Sequence, residues 1–447
     1  MSALPSETDG YTKSIGGPAG LDRLPGFQAC AIVLTLMVLL PAMHAQTAQT
    51  SSAAKADQNR VHPEVKIPVV PLGYLPPGDL PAFYFYAMVE LHFIDADHLI
   101  FAFNTPGLLK RDDNCPDSDV QRMVHAVVFQ LPSGRVLKQA NWELYDFMDF
   151  LWGIGDGRLL LRRCNRLESI GADLDPQVLI QAVGKIQDVS FSPDRSIVVV
   201  QEKQTASAGD QADAGVPSML EQQTEARHTQ VDLIRLHPLH MIGRALIAAP
   251  SDIPVNADGF FEVLTAPKDQ WIVNLRVFSG AERQLATIHS LCTPQIQAIS
   301  NTIFTATTCS KGDQKAFEGY DLQGSLLWKM PLANNQYGPQ LIPIPNGAHF
   351  AIESLHLTRP LAALDPVSKD YVKGEDIDIF DTLTGVRIAT FQTSPAYTGG
   401  RNVDFSPDGQ RMAVLNDGAI EIYSLSDLAK MYQGMPPPAA LPSVHIP

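Results

Sequence analysis

Four cysteines make the most specific chemical prediction in this sequence. They all lie downstream of an N-terminal apolar run: Cys115, Cys164, Cys292 and Cys309. Cys292 and Cys309 flank the run CTPQIQAISNTIFTATTC, in which a hairpin turning at Ser300-Asn301 would place the two sulfur atoms opposite each other. Pairing these two leaves Cys115 for Cys164 by elimination. We therefore predict two disulfides, with four buried free thiols as the alternative.

Two other groups of residues have the donor chemistry of a cation site. Asp112–Asp119 (DDNCPDSD) concentrates the carboxylates that hard cations prefer, but it lacks the glycine and the terminal glutamate of an EF-hand loop. His237 and His240 bracket Pro238 and could bind a metal, but no third ligand is close in the sequence. We interpret the first group as a solvated acidic turn around Cys115, and the second as turn residues.

The sequence lacks the motifs of the common catalytic centres. It has no Gly-x-Ser-x-Gly nucleophile elbow, no His-Glu-x-x-His zinc helix, no Gly-x-x-x-x-Gly-Lys phosphate loop and no Cys-x-x-Cys pair. We therefore assign no catalytic, cofactor-binding or metal-ligating residue, and we expect no cofactor.

The composition narrows the possible classes of protein. The chain has 447 residues, of which 45% are hydrophobic and 18% charged, which is typical of a globular protein with a core. Its formal net charge is −15. Binding to nucleic acid phosphates needs clustered Lys and Arg, so this acidity argues against a nucleic acid partner.

The N-terminus has the pattern of an export signal. Ala29–Leu40 is an apolar run of twelve residues, too short to span about 30 Å of hydrocarbon. Arg23 precedes the run, and Met43–Ala45 supplies a small residue for cleavage. We expect residues 1–45 to be a signal peptide and 46–64 a flexible linker. The mature protein would then be periplasmic or secreted, without stable membrane insertion; an uncleaved N-terminal anchor is the alternative.

The body of the chain repeats one strand-turn-strand unit seven times. Alternating runs rich in Val, Ile, Phe and Leu are separated by turns of Asp, Asn, Gly and Pro, which is the pattern of β-hairpins. The turns lie at seven places: Asp95–Asp97, Gly155–Gly157, Ser192–Asp194, Pro267–Asp269, Ser300-Asn301, Pro345–Gly347 and Ser406–Gly409. A second hairpin follows most units, the last at Ile420–Tyr432, although none is evident after Arg163 in the second unit. Each unit thus has about four strands.

Four-stranded units in series predict an all-β fold, a β-propeller of seven four-stranded blades, with six or eight blades as alternatives. We expect it to span residues 65–433 and to be closed by Val65–Tyr74, which would add an N-terminal strand to the blade containing Phe405. The polar segment 203–230 predicts a disordered insertion loop. It could be a docking loop, but we favour a surface insertion that has no binding role. Residues 434–447 predict a Pro-rich tail.

In such a fold, three histidines and four tryptophans have two possible roles each. These residues are His92, His98, His125, Trp142, Trp152, Trp271 and Trp328. The histidines could face a central channel or occupy interior polar positions on strands. The tryptophans could line the mouth of a ligand site, but we favour packing between blades.

Two turn sequences resemble repeats of known propellers. FSPDR (Phe191–Arg195) and FSPDG (Phe405–Gly409) resemble WD-type and related propeller repeats, especially those of exported bacterial proteins, and IDIFDTLTGVRIATF (Ile377–Phe391) is the next most similar segment. The repeat turn residues are Ser192, Pro193, Asp194, Ser406, Pro407, Asp408 and Gly409. YDLQGSLLWKM (Tyr320–Met330) looks more like the repeats of quinoprotein propellers. The chain has no Trp-Asp or Gly-His pair, so the hydrogen-bond network of true WD repeats is not expected.

These observations lead to two expectations about function. Repetition without a catalytic motif favours a non-catalytic exported binding or scaffold module, a monomer whose partner is another protein. The alternative is an enzyme at the mouth of the channel, a lactonase-like hydrolase or a quinoprotein-like dehydrogenase. Propellers build such sites from residues scattered over several blades, which the order of residues in the sequence hides.

Overall fold

The computed structural model describes most of the chain downstream of the predicted linker. The described residues are 62–76, 88–107, 115, 122–145, 149–203, 229–311, 314–333, 336–359, 371–396 and 401–433. The predicted signal peptide, the linker up to residue 61, the insertion between residues 203 and 229, and the tail after residue 433 lie outside them. No helix in these described ranges is long and apolar enough to cross a membrane.

The strands of the described ranges form seven antiparallel sheets, each of which is one blade of a β-propeller. The fold begins with β1 (Val65–Pro68), which belongs to the last blade. Blade 1 contains β2 (Val89–Phe93), β3 (His98–Thr105), β4 (Arg122–Gln130) and β5 (Arg135–Leu144). Blade 2 contains β6 (Leu151–Gly155), β7 (Arg158–Arg163), β8 (Arg166–Ile170) and β9 (Gln177–Gln181). Blade 3 contains β10 (Ile186–Phe191), β11 (Ile197–Lys203), β12 (Thr229–Arg235) and β13 (His240–Ile247).

The remaining blades follow in chain order. Blade 4 contains β14 (Gly259–Ala266), β15 (Gln270–Val277) and β16 (Glu282–His289). Blade 5 contains β17 (Gln295–Ala298), β18 (Ile303–Cys309), β19 (Lys315–Asp321) and β20 (Leu326–Pro331). Blade 6 contains β21 (Gln336–Pro343), β22 (His349–Leu357), β23 (Val372–Asp381) and β24 (Arg387–Thr393). Blade 7 contains β25 (Val403–Phe405), β26 (Arg411–Asn416), β27 (Ala419–Ser424) and β1, and helix α1 (Leu425–Gln433) follows it.

Hydrophobic cores between neighbouring blades close these sheets into a ring. The described residues contain seven such cores, one at each junction between blades. The core between the last and first blades joins Ile420 of β27 to Leu91 of β2. Because each blade packs on two neighbours, the apolar residues of its inner strands contribute to these cores, and every residue of β2 is buried, including the polar Glu90 and His92. The seven-blade propeller predicted from the repeat is confirmed.

The predicted closure by an N-terminal strand is also confirmed. Strand β1 pairs antiparallel with β27, with Ile67 opposite Ile420. In blade 5, the Glu318 carboxylate accepts a hydrogen bond from Lys329 Nζ of the outermost strand at 2.7 Å. In blade 7, Glu421 accepts one from Lys66 Nζ of β1, also at 2.7 Å. Strand β1 therefore occupies the position of a fourth strand, although it comes from the other end of the propeller's chain.

The two Ser-Pro-Asp segments form matching turns between the first two strands of blades 3 and 7. Ser192 Oγ donates to Asp194 Oδ1 at 2.6 Å, and Ser406 Oγ donates to Asp408 Oδ1 at 2.5 Å. Each serine Oγ also accepts the N–H that begins the next strand, at 3.0 and 2.9 Å. Although partial burial opposes it, hydrogen bonding lowers the pKa of both Asp194 and Asp408.

Three details differ from the predicted hairpins. The innermost strand of blade 4 is reduced to one bridge between Val255 and Phe260, so six blades have four strands and blade 4 has three. The turn at Pro267–Asp269 consequently joins the second and third strand positions of that blade. The predicted final hairpin at Ile420–Tyr432 is strand β27 followed by α1, because β1 supplies the fourth strand. Blade 2 does have a second hairpin, β8–β9.

The structure brings the four cysteines to disulfide distance in the two predicted pairs. The Cα atoms of Cys292 and Cys309 are 5.5 Å apart, and those of Cys115 and Cys164 are 5.8 Å apart. Both separations lie in the range that disulfides allow. Cys309 ends β18, whereas Cys292 lies in the connection before β17.

We expect the four thiols to be alkylated only after reduction. Closing the loops of sequence separation 17 and 49 should stabilise the fold by about 3 and about 4 kcal/mol, respectively. Replacing both cysteines of one pair by alanine should lower the free energy of unfolding by these amounts, which urea denaturation measures. Four thiols that alkylate in the native, unreduced protein would contradict the pairing.

Candidate functional site

The central channel is the candidate functional site, because a cavity lies where the inner strands of six blades meet. The cavity has a volume of about 470 Å³, within the range of about 300–1,000 Å³ that is typical of ligand pockets. Its walls come from blades 2 to 7 and include Trp152, Phe191, Gln295, Gln340 and Arg401.

The cavity wall is mostly uncharged. Of the residues that line it, Arg195, Asp252 and Arg401 are charged. Amide and hydroxyl side chains supply most of the other polar groups: Ser190, Ser192, Gln295, Gln297, Thr305, Thr307 and Gln340. Such groups both donate and accept hydrogen bonds without changing protonation state. The wall therefore suits a ligand rich in neutral polar groups.

Arg401 lines the cavity and joins three blades. It lies two residues before β25, and its guanidinium contacts the Asp149 carboxylate of blade 2 at 2.5 Å. Its carbonyl accepts a hydrogen bond from Leu91 N–H of β2 at 3.0 Å. Its φ of 67° is a left-handed conformation, which costs a non-glycine residue roughly 1–2 kcal/mol. Burial alone would lower the pKa of Arg401, but Asp149, Glu90 and Glu353 raise it. Arg401 is thus a firmly held cation.

His92 is a second cation at this junction. Its Nε2 lies 3.0 Å from Glu90 Oε2, and its Nδ1 lies 3.7 Å from Asp404 Oδ2. Burial alone would lower the pKa of His92, but hydrogen bonds to Asp404 and Glu90 raise it to about 9. The same carboxylates accept backbone N–H groups: Glu90 from Phe150 at 3.3 Å, and Asp404 from Phe93 at 2.7 Å. At neutral pH His92 is therefore an imidazolium and not a general base.

We call Glu90, His92, Asp149, Arg401 and Asp404 the closure cluster. Its two cations and three carboxylates pair with one another across blades 1, 2 and 7. These blades include the first and the last of the ring. The closure cluster therefore stabilises the ring where it closes, and its Arg401 also lines the cavity.

A pair of carboxyl groups lies between blades 6 and 7. Glu353 of β22 and Glu375 of β23 are both buried and form a hydrogen bond with each other. Glu375 Oε2 also accepts the Thr393 hydroxyl at 2.5 Å and the Asn402 amide at 2.8 Å. Burial first, and then the hydrogen bond and charge of Glu375, raise the pKa of Glu353 well above its usual value. Glu353 is thus the protonated, donating member of the pair.

Glutamine should be tolerated at position 353 and harmful at position 375. In the unfolded chain Glu353 ionises above about pH 4.5, whereas the folded chain retains its proton, so this residue lowers stability as the pH rises above that value. Glu353→Gln removes this penalty and should leave the free energy of unfolding at pH 7 unchanged or higher. Glu375→Gln loses the carboxylate that accepts from Thr393 and Asn402 and should cost about 1–3 kcal/mol.

Urea unfolding of this matched pair of variants at pH 7 measures the difference. Both replacements have the same size and change the same functional group. Equal losses in the two variants would contradict the assignment of proton donor and acceptor.

Arg195 lies in the blade 3 turn at the position that Gly409 occupies in blade 7. The φ angles are 60° and 66°, and this left-handed conformation favours glycine. The guanidinium lies 5.2 Å from the centre of the Phe191 ring and lines the cavity. Its enclosed position lowers the pKa of Arg195, which the more distant Asp404 opposes. Within the part of the chain that the structure describes, no carboxylate forms an ion pair with Arg195.

The structure shows different surroundings for His92, His98 and His125, which the sequence placed either at a central channel or at interior polar positions on strands. His92 is buried in the closure cluster, between Glu90 and Asp404. His98 Nδ1 pairs with Asp95 at 2.9 Å, and His125 Nδ1 with Asn141 at 2.7 Å, and neither histidine lines the cavity.

The structure does not bring the predicted cation ligands together. His240 Nδ1–H donates to the Pro238 carbonyl at 2.9 Å, while His237 Nδ1 lies 3.7 Å from Asp156. Asp112–Asp119 lies outside the described residues except for Cys115. Among the residues that are described, no three His, Cys, Asp or Glu side chains are grouped as metal ligands.

Three of the four tryptophans are buried: Trp142, Trp152 and Trp328. Trp328 stacks on Phe350 at 5.4 Å and donates through Nε1 to the Thr382 carbonyl at 2.9 Å, which joins blades 5 and 6. Trp271 donates to the Ser290 carbonyl at 2.9 Å. Trp152 both packs against Phe191 of the next blade and lines the cavity, so it combines the two roles considered.

Sequence reasoning missed Arg401, Glu353 and Glu375, and it treated Arg195 only as part of a turn. Arg401 and Asp149 are 252 residues apart, so no local pattern could pair them. For Arg195 a signal was present, because the matching turn has glycine where this one has arginine.

Comparison with known proteins concerns the fold only. No model of a known protein family matches the sequence, and no curated protein sequence matches it significantly. Among solved structures, the acylaminoacyl peptidase of Pyrococcus horikoshii is 12% identical with a TM-score of 0.45, over 78% of this chain and 54% of that one. A chain of the mitotic checkpoint complex is 10% identical with a TM-score of 0.41, over 90% and 98%. The hydrazine synthase of Kuenenia stuttgartiensis is 9% identical with a TM-score of 0.33, over 81% and 82%. Identities this low indicate nothing about activity.

Proposed function

We propose that this protein is a non-catalytic binding propeller of the periplasm or extracellular space, and that its central channel receives a segment of a partner protein. The observation that carries the proposal is the cavity wall, in which uncharged amide and hydroxyl side chains outnumber the three charged residues, next to a closure cluster whose charges pair with one another. The two cysteine pairs at disulfide distance support an oxidising compartment.

The chemistry of the wall fits a polypeptide segment. A peptide backbone presents alternating N–H and C=O groups, which need donors and acceptors when they leave water. Gln295 and Gln340 are exposed and line the cavity, and the amide of each offers both an N–H donor and a C=O acceptor. Trp152 and Phe191 add an apolar surface for a side chain. By contrast, acid-base catalysis needs a group that changes protonation near neutral pH, and His92 is held as a cation.

Site-specific photo-crosslinking tests this proposal. A photoreactive amino acid at Gln340 faces the cavity, and the same amino acid at Gln177 lies exposed on the outermost strand of blade 2 as the matched control. In cells that export the protein, we expect one partner segment to be cross-linked from Gln340 and not from Gln177. A synthetic peptide of that segment should then bind the purified protein with one-to-one stoichiometry.

Two results would contradict the proposal. One is equal cross-linking from both positions, since this would indicate non-specific contact. The other is a small molecule that occupies the channel and that the purified protein converts, which would favour the lactonase-like or quinoprotein-like alternative. Loss of binding when Thr307→Trp fills the cavity is the confirming control, because Thr307 lines it.

A further inference from the structure

Arg195 occupies a turn position that is glycine in the matching turn of blade 7. In blade 7 the fourth turn residue is Gly409, where a Cβ atom would collide with Asn346. In blade 3 the same hydrogen-bonded turn has an arginine with a left-handed φ of 60°. Non-glycine residues persist in such conformations where the surroundings or a function require the side chain. The side chain here points into the channel and lines the cavity.

The guanidinium of Arg195 also differs from those of several other arginines in its ion-pair partners. Several are paired with carboxylates at 2.5–3.3 Å, namely Arg163, Arg244, Arg276, Arg387 and Arg401. In the described residues Arg195 has only the ring of Phe191, and no carboxylate within ion-pair distance. The longer-range influences of Asp404 and Arg401 on it have opposite signs. Arg195 is half-buried, and a cation that lines a cavity without an ion-pair partner among the described residues is placed to accept the charge of a bound anion.

The surroundings favour a carboxylate over a more highly charged anion. Asp252 lines the same cavity, and burial together with the charge of Asp252 raises the pKa of the neighbouring Asp188. A phosphate would bring about two negative charges into this region, whereas a carboxylate brings one. The planar guanidinium matches the two oxygens of a carboxylate.

We propose that Arg195 binds a carboxylate of the polypeptide segment that occupies the channel, an inference that rests on the proposed function. The carboxylate is either the C-terminal group of the segment or an acidic side chain. In either case Gln295 and Gln340 are placed to hydrogen-bond the adjoining peptide groups, and Trp152 lies on the same wall.

Three capped peptides distinguish the possible sources. They are N-acetyl-trialanine with a free C-terminus, the same peptide as its C-terminal amide, and N-acetyl-Ala-Glu-Ala-amide. Binding to the purified protein is followed by calorimetry. We expect either the free acid or the glutamate peptide to bind about tenfold or more tightly than the neutral amide, because only they carry a carboxylate. Which of the two binds identifies the source.

Variants at position 195 separate binding from folding. Arg195→Gly restores the residue that the turn favours, so the melting temperature should be unchanged or higher, while the tenfold preference is lost. Arg195→Gln should lose the preference as well. Arg283→Gln, which removes a charge from an exposed position on β16, should retain it.

Three results would overturn the inference: equal affinity for all three peptides, a preference that survives Arg195→Gly, or no binding of any peptide at its solubility limit. Equal affinity for all three peptides would still leave the proposed peptide-binding function intact, because it depends on the cross-linked segment and not on Arg195. A failed cross-linking experiment would remove that function whatever these peptides do.

Discussion

Deletion of Val65–Tyr74 is expected to abolish soluble, folded protein. This segment supplies the fourth strand of blade 7, and no other part of the described chain takes that position. Glu64 N–H and Val69 N–H extend the ladder to the Ile422 and Gly418 carbonyls at 2.8 and 3.0 Å. Without the strand, the edge of β27 would present unpaired backbone groups, which favours aggregation.

The apolar residues of the segment also complete the core between blades 7 and 1. Ile67, Val69 and Tyr74 are 5%, 0% and 2% exposed, and the Tyr74 ring lies 5.3 Å from Phe101. Truncation of one such side chain, as in Ile67→Ala, typically costs about 2–5 kcal/mol. The loss of all three side chains is therefore comparable to the whole free energy of unfolding of an ordinary domain, which is about 5–15 kcal/mol.

Neighbouring point variants give a matched control within the same strand. Ile67→Asp places a carboxylate in the core and should reproduce the effect of the deletion. Lys66→Gln changes a half-exposed side chain whose ion pair with Glu421 contributes at most about 1 kcal/mol. The soluble fraction and the thermal unfolding of the three proteins are the measurements. A deletion variant that melts like the intact protein would show that β1 does not close the ring.

The stability of the protein is expected to fall by about 3 kcal/mol between pH 6.5 and pH 9 through His92 alone. In the folded state the pKa of His92 is raised to about 9, from 6.5 in the unfolded chain. The folded state therefore holds this proton more tightly, and the resulting stabilisation is complete below pH 6.5. It is lost as the pH rises through about 9, and each unit of pKa difference corresponds to about 1.4 kcal/mol.

Urea unfolding at several pH values measures this slope. His92→Gln should be less stable than the unmodified protein at pH 6 and should lack the decline towards pH 9. His125→Gln is the matched control, because His125 lies on strand β4 of the same blade and contacts Asn141 rather than a carboxylate. It should keep the original slope. Parallel pH profiles for the protein and for His92→Gln would contradict the proposed imidazolium.

Features with a short sequence range could be predicted without the structure. The alternation of apolar residues and the Asp, Asn, Gly and Pro turns repeat along the chain, and each hairpin depends on residues that are adjacent in sequence. These patterns led to the all-β propeller, the number of blades and the partner of the N-terminal strand. Cysteine pairing was accessible for the same reason, because Cys292 and Cys309 flank a single hairpin.

Blade 4 shows where local patterns fail. Its innermost strand is a single bridge at Val255, and the strong alternation of Phe261–Arg276 belongs to the next strands outward. The sequence pattern indicated a hairpin there correctly, but it carried no information about the distance of that hairpin from the axis. Position within a blade depends on packing against the two neighbouring blades.

The sequence by itself determined that this protein is a ring of repeated antiparallel sheets, because hairpin formation depends on period-two alternation and turn residues. Only the tertiary structure decided which side chains meet around its channel. Phe93 and Asp404 are 311 residues apart, and Arg401 and Asp149 are 252 apart, yet closure of the ring places them in contact. The charge state of His92 follows from that closure, because burial and neighbouring charges shift the pKa of a group only after distant strands have met.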